Sequence, residues 1–199
     1  MSIKNFWGIL DDVLGAGFAE DAGIHEKVQQ LSRGFTDERA TLRPDYFADA
    51  GYRRGYLAYF LPLNFLKTRL LLAAHAPKVR TKDGVRILDF GAGPATASLA
   101  ALDYLSGFKP KKIEICIVEN QPDASKIAKE LLEKYAAKLE LDVTVECLKS
   151  IPDVSSTEPF DLVFAVNVLN ELSGEDSEYL LSLWNLCAGA FLLLEPSHR

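Results

Sequence analysis

Between Val85 and Leu194 five short apolar runs alternate with stretches of helical periodicity, and this alternation narrows the possible folds more than any other feature of the chain. The runs are Val85 to Phe90, Ile113 to Val118, Asp142 to Cys147, Phe160 to Val166 and Ala190 to Leu194. They are nearly continuous in apolar residues, whereas a strand with one wet face would alternate apolar with polar. Such runs are expected of strands covered on both faces, in a parallel sheet connected through helices. Helices are expected at Ala95 to Ser106, Asp123 to Leu139 and about Gly174 to Leu186. The link from Cys147 to Phe160 contains Pro152 and Pro159 and has little periodicity, so a short crossover without a helix is expected there.

A different pattern precedes the sheet. Ile3, Phe6, Trp7, Leu10, Val13 and Leu14 recur at helical spacing, as do Ile24, Val28 and Leu31. A third helix is expected from near Pro44 to Phe60, with Pro62 starting a new turn through Leu63, Leu66, Leu70 and Ala73. The stretch Ala76 to Gly84 separates the two patterns, which divides the chain into a helical segment, 1–80, and a sheet domain, 81–199. At 199 residues the chain can bury a core without disulfides or metal. Cys116, Cys147 and Cys187 stand singly in apolar runs and are expected to be buried thiols of a reducing compartment. The first residues lack the order of a signal peptide, so a cytoplasmic location is expected. The longest apolar stretch, Gly55 to Leu66, is interrupted by Pro62 and Asn64, and no membrane span is expected from it.

The first strand runs directly into Asp89-Phe90-Gly91-Ala92-Gly93-Pro94-Ala95-Thr96. Glycines where the chain reverses let a ligand touch backbone, and the helix N-terminus beyond them offers unpaired N–H groups. Pro94 suits a first helical position. A dinucleotide fingerprint would place a third glycine at Thr96 and an apolar residue at Asp89, and both requirements fail. An acid immediately before the loop suits instead a cofactor with an ammonium group and no pyrophosphate, namely S-adenosylmethionine; the plainer alternative is that Asp89 caps the turn. The second strand ends at Glu119, where a carboxylate can accept both hydroxyls of a ribose, although acids at strand ends are common.

These features resemble the class I methyltransferases over residues 85–199. ILDFGAGPAT is similar to their first motif, IVEN to their ribose acid, FDLVFAVNVLNEL to their fourth strand and loop, and AGAFLLLEPS to their fifth strand. More narrowly, YRRGYLAYFLPLNFLKTRLLLA, LNEL and LLLEP are similar to the methyltransferase-like family associated with assembly of the mitochondrial small ribosomal subunit, which has bacterial members. The resemblance implies a Rossmann-like α/β sheet of five parallel strands preceded by the helical segment. The two further family strands are expected to be missing, which leaves the domain C-terminally incomplete. It also implies S-adenosylmethionine as cofactor. The candidate cofactor-binding residues are Asp89, Gly91, Ala92, Gly93, Glu119, Asn120 and Asn167, with Asn170 and Glu171 beside Asn167. No catalytic residue and no metal ligand is assigned.

The departures matter as much. Asn167-Val168-Leu169-Asn170 is not the Asn/Asp-Pro-Pro-aromatic loop of amino-group methyltransferases, and there is no Pro-Cys nucleophile for base carbon methylation. After the third strand come Leu148, Lys149 and Ser150, with Asp153 the nearest acid. The family's cysteine ligands for an iron–sulfur cluster have no counterpart here. His25, His75 and His198 show no paired spacing and are taken as surface residues.

Charge separates the halves: residues 1–80 carry 11 Lys/Arg against 9 Asp/Glu, and residues 81–199 carry 11 against 19. Residues 33–80 hold nine basic side chains against four acidic ones, with eight aromatics among them. Tyr52, Arg53, Arg54, Tyr56, Tyr59, Phe60, Lys67 and Arg69 could stack bases and pair phosphates, as RNA binding needs, and the family resemblance implies that the RNA, as substrate or partner, is that of the small ribosomal subunit. The alternative is a core helix whose rings pack inward. Three functions follow: a methyltransferase acting on or bound to that RNA, a non-catalytic ribosome-assembly factor, or a small-molecule methyltransferase. An uncovered last strand would also invite self-association through the sheet edge.

Overall fold

The computed structural model describes residues 3–15, 17, 23–36, 45–75, 84–168 and 176–195. Strands β1 (Val85–Phe90), β2 (Ile113–Val118), β3 (Val143–Leu148), β4 (Phe160–Val166) and β5 (Cys187–Leu194) form one sheet in the order β3-β2-β1-β4-β5. Every pairing is parallel. The bounds of β1, β2 and β4 agree with the apolar runs. β3 is offset by one residue, and β5 begins at Cys187 instead of Ala190. The extension of β5 passes through Gly189, where a Cβ would stand 2.2 Å from the Asp161 carbonyl oxygen, and the β4–β5 register shifts at that point. A side chain there would collide with the neighbouring backbone, so the strand continues only because the residue is glycine.

The alternation of side chains along the central strands divides the core into two layers. Ile87, Ile113, Ile115, Ile117, Leu162 and Phe164 face one side of the sheet, where helices α5 (Thr96–Leu105) and α6 (Pro122–Leu139) cover them. Leu88, Phe90, Cys116, Val118, Val163 and Ala165 face the other, against Leu183 of α7 (Asp176–Asn185) and Leu186 just after it. The link between β3 and β4 has no helix, as its prolines suggest. β3 departs from the doubly covered pattern: it is an edge strand with Thr144 and Glu146 exposed. Cys147 is exposed for the same reason and Cys187 is only partly buried, so of the three thiols only Cys116 is a core residue.

The N-terminal helices join the first layer and build no core of their own. Helix α1 (Ile3–Leu14) inserts Phe6, Ile9 and Leu10, and the Phe6 ring stacks on Phe65 at 4.3 Å and meets Tyr135 of α6 edge-on at 5.9 Å. Helix α2 (Ile24–Phe35) lies against α3 (Ala50–Gly55), whose first turn is capped by the Asp49 carboxylate accepting from Gly51 N and Tyr52 N. A 3-10 turn, Tyr46–Ala48, precedes the cap, so the single helix expected from Pro44 is divided at Asp49.

Beyond α3 the chain does not stop at Pro62. A π-turn, Tyr56–Phe60, in which Leu61 N–H donates to the Tyr56 carbonyl, leads directly into α4 (Leu61–His75). Proline lacks the N–H of the regular helical ladder, and the wider turn just before it lets the helix continue. The unbroken helix Ala50–His75 is 26 residues long, which by length and composition alone is enough to cross a membrane. The twelve-residue apolar stretch underestimated it because the helix carries on through Pro62. In the fold this helix buries Leu57, Leu61, Phe65, Thr68 and Leu72 and packs along α5. The opposite sheet edge, β5, has Leu193 exposed, with Leu181 and Trp184 exposed on the neighbouring α7.

Candidate functional site

β2 and β4 flank β1, and the crossovers leave β1 in opposite directions, so a crevice opens at the carboxyl ends of β1 and β4 where the winding reverses. The turn after β1 lies in it. Gly91 and Gly93 hold φ of +64° and +53°, and Gly91 N and Ala92 N donate to the Val118 carbonyl. A Cβ on Gly91 would stand 2.1 Å from Val168 Cγ2, whereas a Cβ on Gly93 would meet nothing within 4 Å. The first glycine is therefore required by packing inside the protein. The second leaves its space open to a ligand. Ala95, not Pro94, caps α5, with φ of +60°, so Pro94 sits in the turn two residues ahead of the helix and not at its first position.

Glu119 ties the turn to the end of β2. Its Oε2 accepts from Gly93 N at 2.8 Å and its Oε1 from Gln121 N at 2.8 Å. Asp89 lies deeper, 2% exposed, with Oδ2 accepting from Ser98 N at 3.0 Å and Ser98 Oγ at 2.7 Å. Burial pushes its carboxyl up to about 7; the Ser98 hydrogen bonds oppose that shift and the Glu119 charge adds to it. Just beyond β4, Asn167 adopts φ of +56° and donates its N–H to the Leu194 carbonyl, and the next N–H, from Val168, goes to Glu195 Oε1 at 2.8 Å. Asn170 and Glu171 lie outside the described residues.

Two cavities meet at this edge. One is a recess of about 20 Å³ lined by Asp89, Ala92, Thr96, Asn64 and Tyr56, among others. Thr96 Oγ1 is buried there without a hydrogen-bond partner. The other, of about 520 Å³, is within the range of small-molecule sites. Gly93, Glu119, Gln121, Asn167 and Glu195 line its floor, and Phe35, Tyr46, Tyr56 and Phe60 line the side supplied by the N-terminal helices. Gly91 and Asn167 border both cavities. Of the residues singled out in the sequence, the structure brings together Asp89, Gly91, Ala92, Gly93, Glu119 and Asn167. Asn120 is exposed and lines neither cavity.

Sequence reasoning missed Asn64, Gln121 and Glu195, and it placed Tyr56 and Phe60 on an RNA-binding or core helix and not at this site. Asn64 had a legible signal, a polar residue inside an apolar helix, and it is 6% exposed over the recess. Glu195 had another, an acid at the carboxyl end of a strand like that of Glu119. The basic aromatic segment is divided by the fold. Arg53 donates to the carbonyls of Phe47 and Ala48, Arg69 pairs with Asp103, and Lys27 lies over the Tyr52 ring, whereas Tyr59 remains half exposed. His25 is exposed and bonded to Gln29, His75 is exposed, and His198 lies outside the described residues. Among the described residues no cluster of side chains is arranged to hold a metal ion.

Known structures share this architecture. An O-methyltransferase family protein from Burkholderia thailandensis superposes with a TM-score of 0.57 at 14% identity, over 85% of this chain and 52% of that one. A SAM-dependent methyltransferase from Aquifex aeolicus is 26% identical, with a TM-score of 0.40, over 63% of this chain and 60% of that one. The chain spans about half the length of the solved structures it matches. No curated protein sequence matches it. The sheet and its helices thus share the Rossmann-like fold of that Burkholderia O-methyltransferase family protein. The model of the family described as mitochondrial small ribosomal subunit Rsm22 matches residues 52–199, from within α3 to the end of the sheet, and the chain belongs to that family.

Proposed function

We propose that this chain binds S-adenosylmethionine at the carboxyl edge of the sheet and serves as a methyltransferase acting on, or bound to, small-subunit ribosomal RNA. The observation that carries the cofactor reading is the joint of Glu119 with Gly93 at the switch point: a carboxylate held in place by two backbone N–H groups, beside a glycine whose open side faces the cavity. The surrounding residues fit the cofactor. Thr96 Oγ1 lacks a partner, and Asp89 is a buried acid for which an ammonium group would favour the charged form. Glu119 would hold the ribose, and Asp89, Gly91 and Gly93 the amino-acid end. When bound, the cofactor supplies an electrophilic methyl group on a sulfonium. The chain's contribution is to position the acceptor and exclude water, which requires geometry more than a general base.

The ribosomal RNA reading is supported by the family's description, which names the small ribosomal subunit, and by the local excess of basic residues in 33–80. A small-molecule acceptor is favoured by a different observation, the helical wall that stands over the site and makes it a cavity instead of an open groove. Calorimetric titration with S-adenosylmethionine tests the first step. Saturable binding is expected for the wild type, weakened at least tenfold in Glu119→Ala; absence of heat in the wild type would overturn the reading. Incubation with the methyl-tritiated cofactor and small-subunit RNA then reports transfer.

A further inference from the structure

The floor of the larger cavity follows the sheet order. Glu119 follows β2, the glycine turn follows β1, Asn167 follows β4 and Glu195 follows β5, so these groups succeed one another at strand spacings of about 4.8 Å. If the cofactor takes the β2 and β1 end, the β4 and β5 end is left for the acceptor. The wall belonging to the N-terminal helices is built from rings. Phe35 stands nearly perpendicular to Tyr46, Tyr56 and Phe60, at 74°, 89° and 86°. Those three are tilted from one another by only 36° and 31° in successive pairs, Tyr46 with Tyr56 and Tyr56 with Phe60. All four rings line the cavity.

Resting on the methyltransferase reading above, we infer that the acceptor is a planar aromatic ring bearing a heteroatom, held against the Tyr46, Tyr56 and Phe60 wall. Flat faces with a negative quadrupole suit a stacked ring or a cation. A protonated amine has no lone pair to receive a methyl group, and Lys67 on the same cavity disfavours a second cation. A ring with a hydroxyl, amino or ring nitrogen has both the flat face and the lone pair. Such a ring could come from a free aromatic metabolite or from an unpaired nucleobase.

The full chain saturated with S-adenosylhomocysteine, titrated by ligand-observed NMR with catechol, cytidine, a single-stranded cytidine octanucleotide and cyclohexane-1,2-diol, tests this. At least one planar probe is expected to bind tenfold more tightly than the saturated diol. Tyr46→Leu is expected to remove about tenfold of that affinity, in keeping with the strength of ring stacking. Tyr46→Phe should stay within twofold of wild type, and both variants should keep their affinity for S-adenosylhomocysteine. The octanucleotide binding above cytidine would assign the ring to RNA, and catechol binding above both would assign it to a free metabolite. Failure of every planar probe to bind more tightly than the diol, or unchanged planar-probe affinity in Tyr46→Leu, overturns the inference while leaving the cofactor site standing. Failure of the wild type to bind S-adenosylhomocysteine overturns the cofactor reading and this inference with it.

Discussion

The Cα of Gly91 faces Val168 so closely that a Cβ there would lie 2.1 Å from Val168 Cγ2 and 2.7 Å from Val168 Cβ. This close approach links the turn after β1 to the end of β4, the two sides of the crevice. Gly91→Ala must meet both the clash and a φ of +64°, for a combined cost of about 2–4 kcal/mol. In a Val168→Gly background the clash is gone and only the backbone strain remains. Urea denaturation of the single and double variants should show Gly91→Ala costing at least 1 kcal/mol less in that background. Strict additivity would show that the Val168 side chain does not hold the turn.

Asp89 gives stability a recognisable pH dependence. Its carboxyl is pushed up to about 7 in the fold, chiefly by burial, from an ordinary value of 3.8. Between these values the folded chain holds a proton that the unfolded chain has lost, so stability declines as pH rises through the window and levels off above it. Asp89→Asn keeps an oxygen for the Ser98 donors and cannot ionise. Thermal melts from pH 4 to 8 should show the asparagine variant without that decline. At pH 8 it should exceed wild type by up to about 4 kcal/mol. Parallel profiles for the two proteins would contradict the assignment.

A second acid joins the N-terminal helices to the sheet domain. Asp103 on α5, 9% exposed, accepts from Arg69 Nε of α4 at 2.7 Å and from Tyr135 Oη of α6 at 3.0 Å. Burial, followed by the charge of Asp103, pushes the Tyr135 phenol up, which keeps it a donor. Asp103→Ala removes an acceptor from the Tyr135 hydroxyl and the partner of Arg69, at a cost of about 1–3 kcal/mol. Arg69 is 31% exposed and can turn to water, so Arg69→Ala should cost less. Chemical denaturation that ranks the two in the reverse order would place the weight of the joint on the ion pair instead.

The strands that could be read to the residue were those whose environment is uniform along their length. β1, β2 and β4 lie between neighbours, and their apolar runs end where the cover ends. β3 and the start of β5 were not read so well: Val143-Thr144-Val145-Glu146 alternates as a half-exposed edge strand does, a signal passed over, whereas Gly189 answers to the Asp161 carbonyl, which local composition does not show. The half of the site made by one β-turn-α unit was legible for the same local reason: Asp89, Gly91 and Gly93 are neighbours in sequence. Tyr56, Asn64 and Glu195 reach the site only through the docking of α4 and the placing of β5. The aromatic segment carried two meanings in sequence, a stacking platform or a packed helix. The fold gives Tyr56 and Phe60 to the cavity wall and leaves Tyr59 to solvent.

That division sharpens the test for RNA. Arg53 donates to the carbonyls of Phe47 and Ala48, so Arg53→Ala should lower the melting temperature by removing those bonds and the packed arginine stem. Arg54 is exposed on the same helix, and its replacement should lower the melting temperature less than that of Arg53. If this helix meets RNA, removing a cation that neutralises one phosphate reduces the slope of log affinity against log salt by about one unit. Arg54→Ala should therefore bind small-subunit RNA more weakly and with a flatter salt dependence, while its affinity for S-adenosylmethionine matches wild type because Arg54 lines neither cavity. Filter binding across a salt series, run beside thermal melts, separates the two roles. An Arg54→Ala protein that binds RNA with wild-type affinity and slope would remove this helix from the RNA surface and favour the small-molecule acceptor.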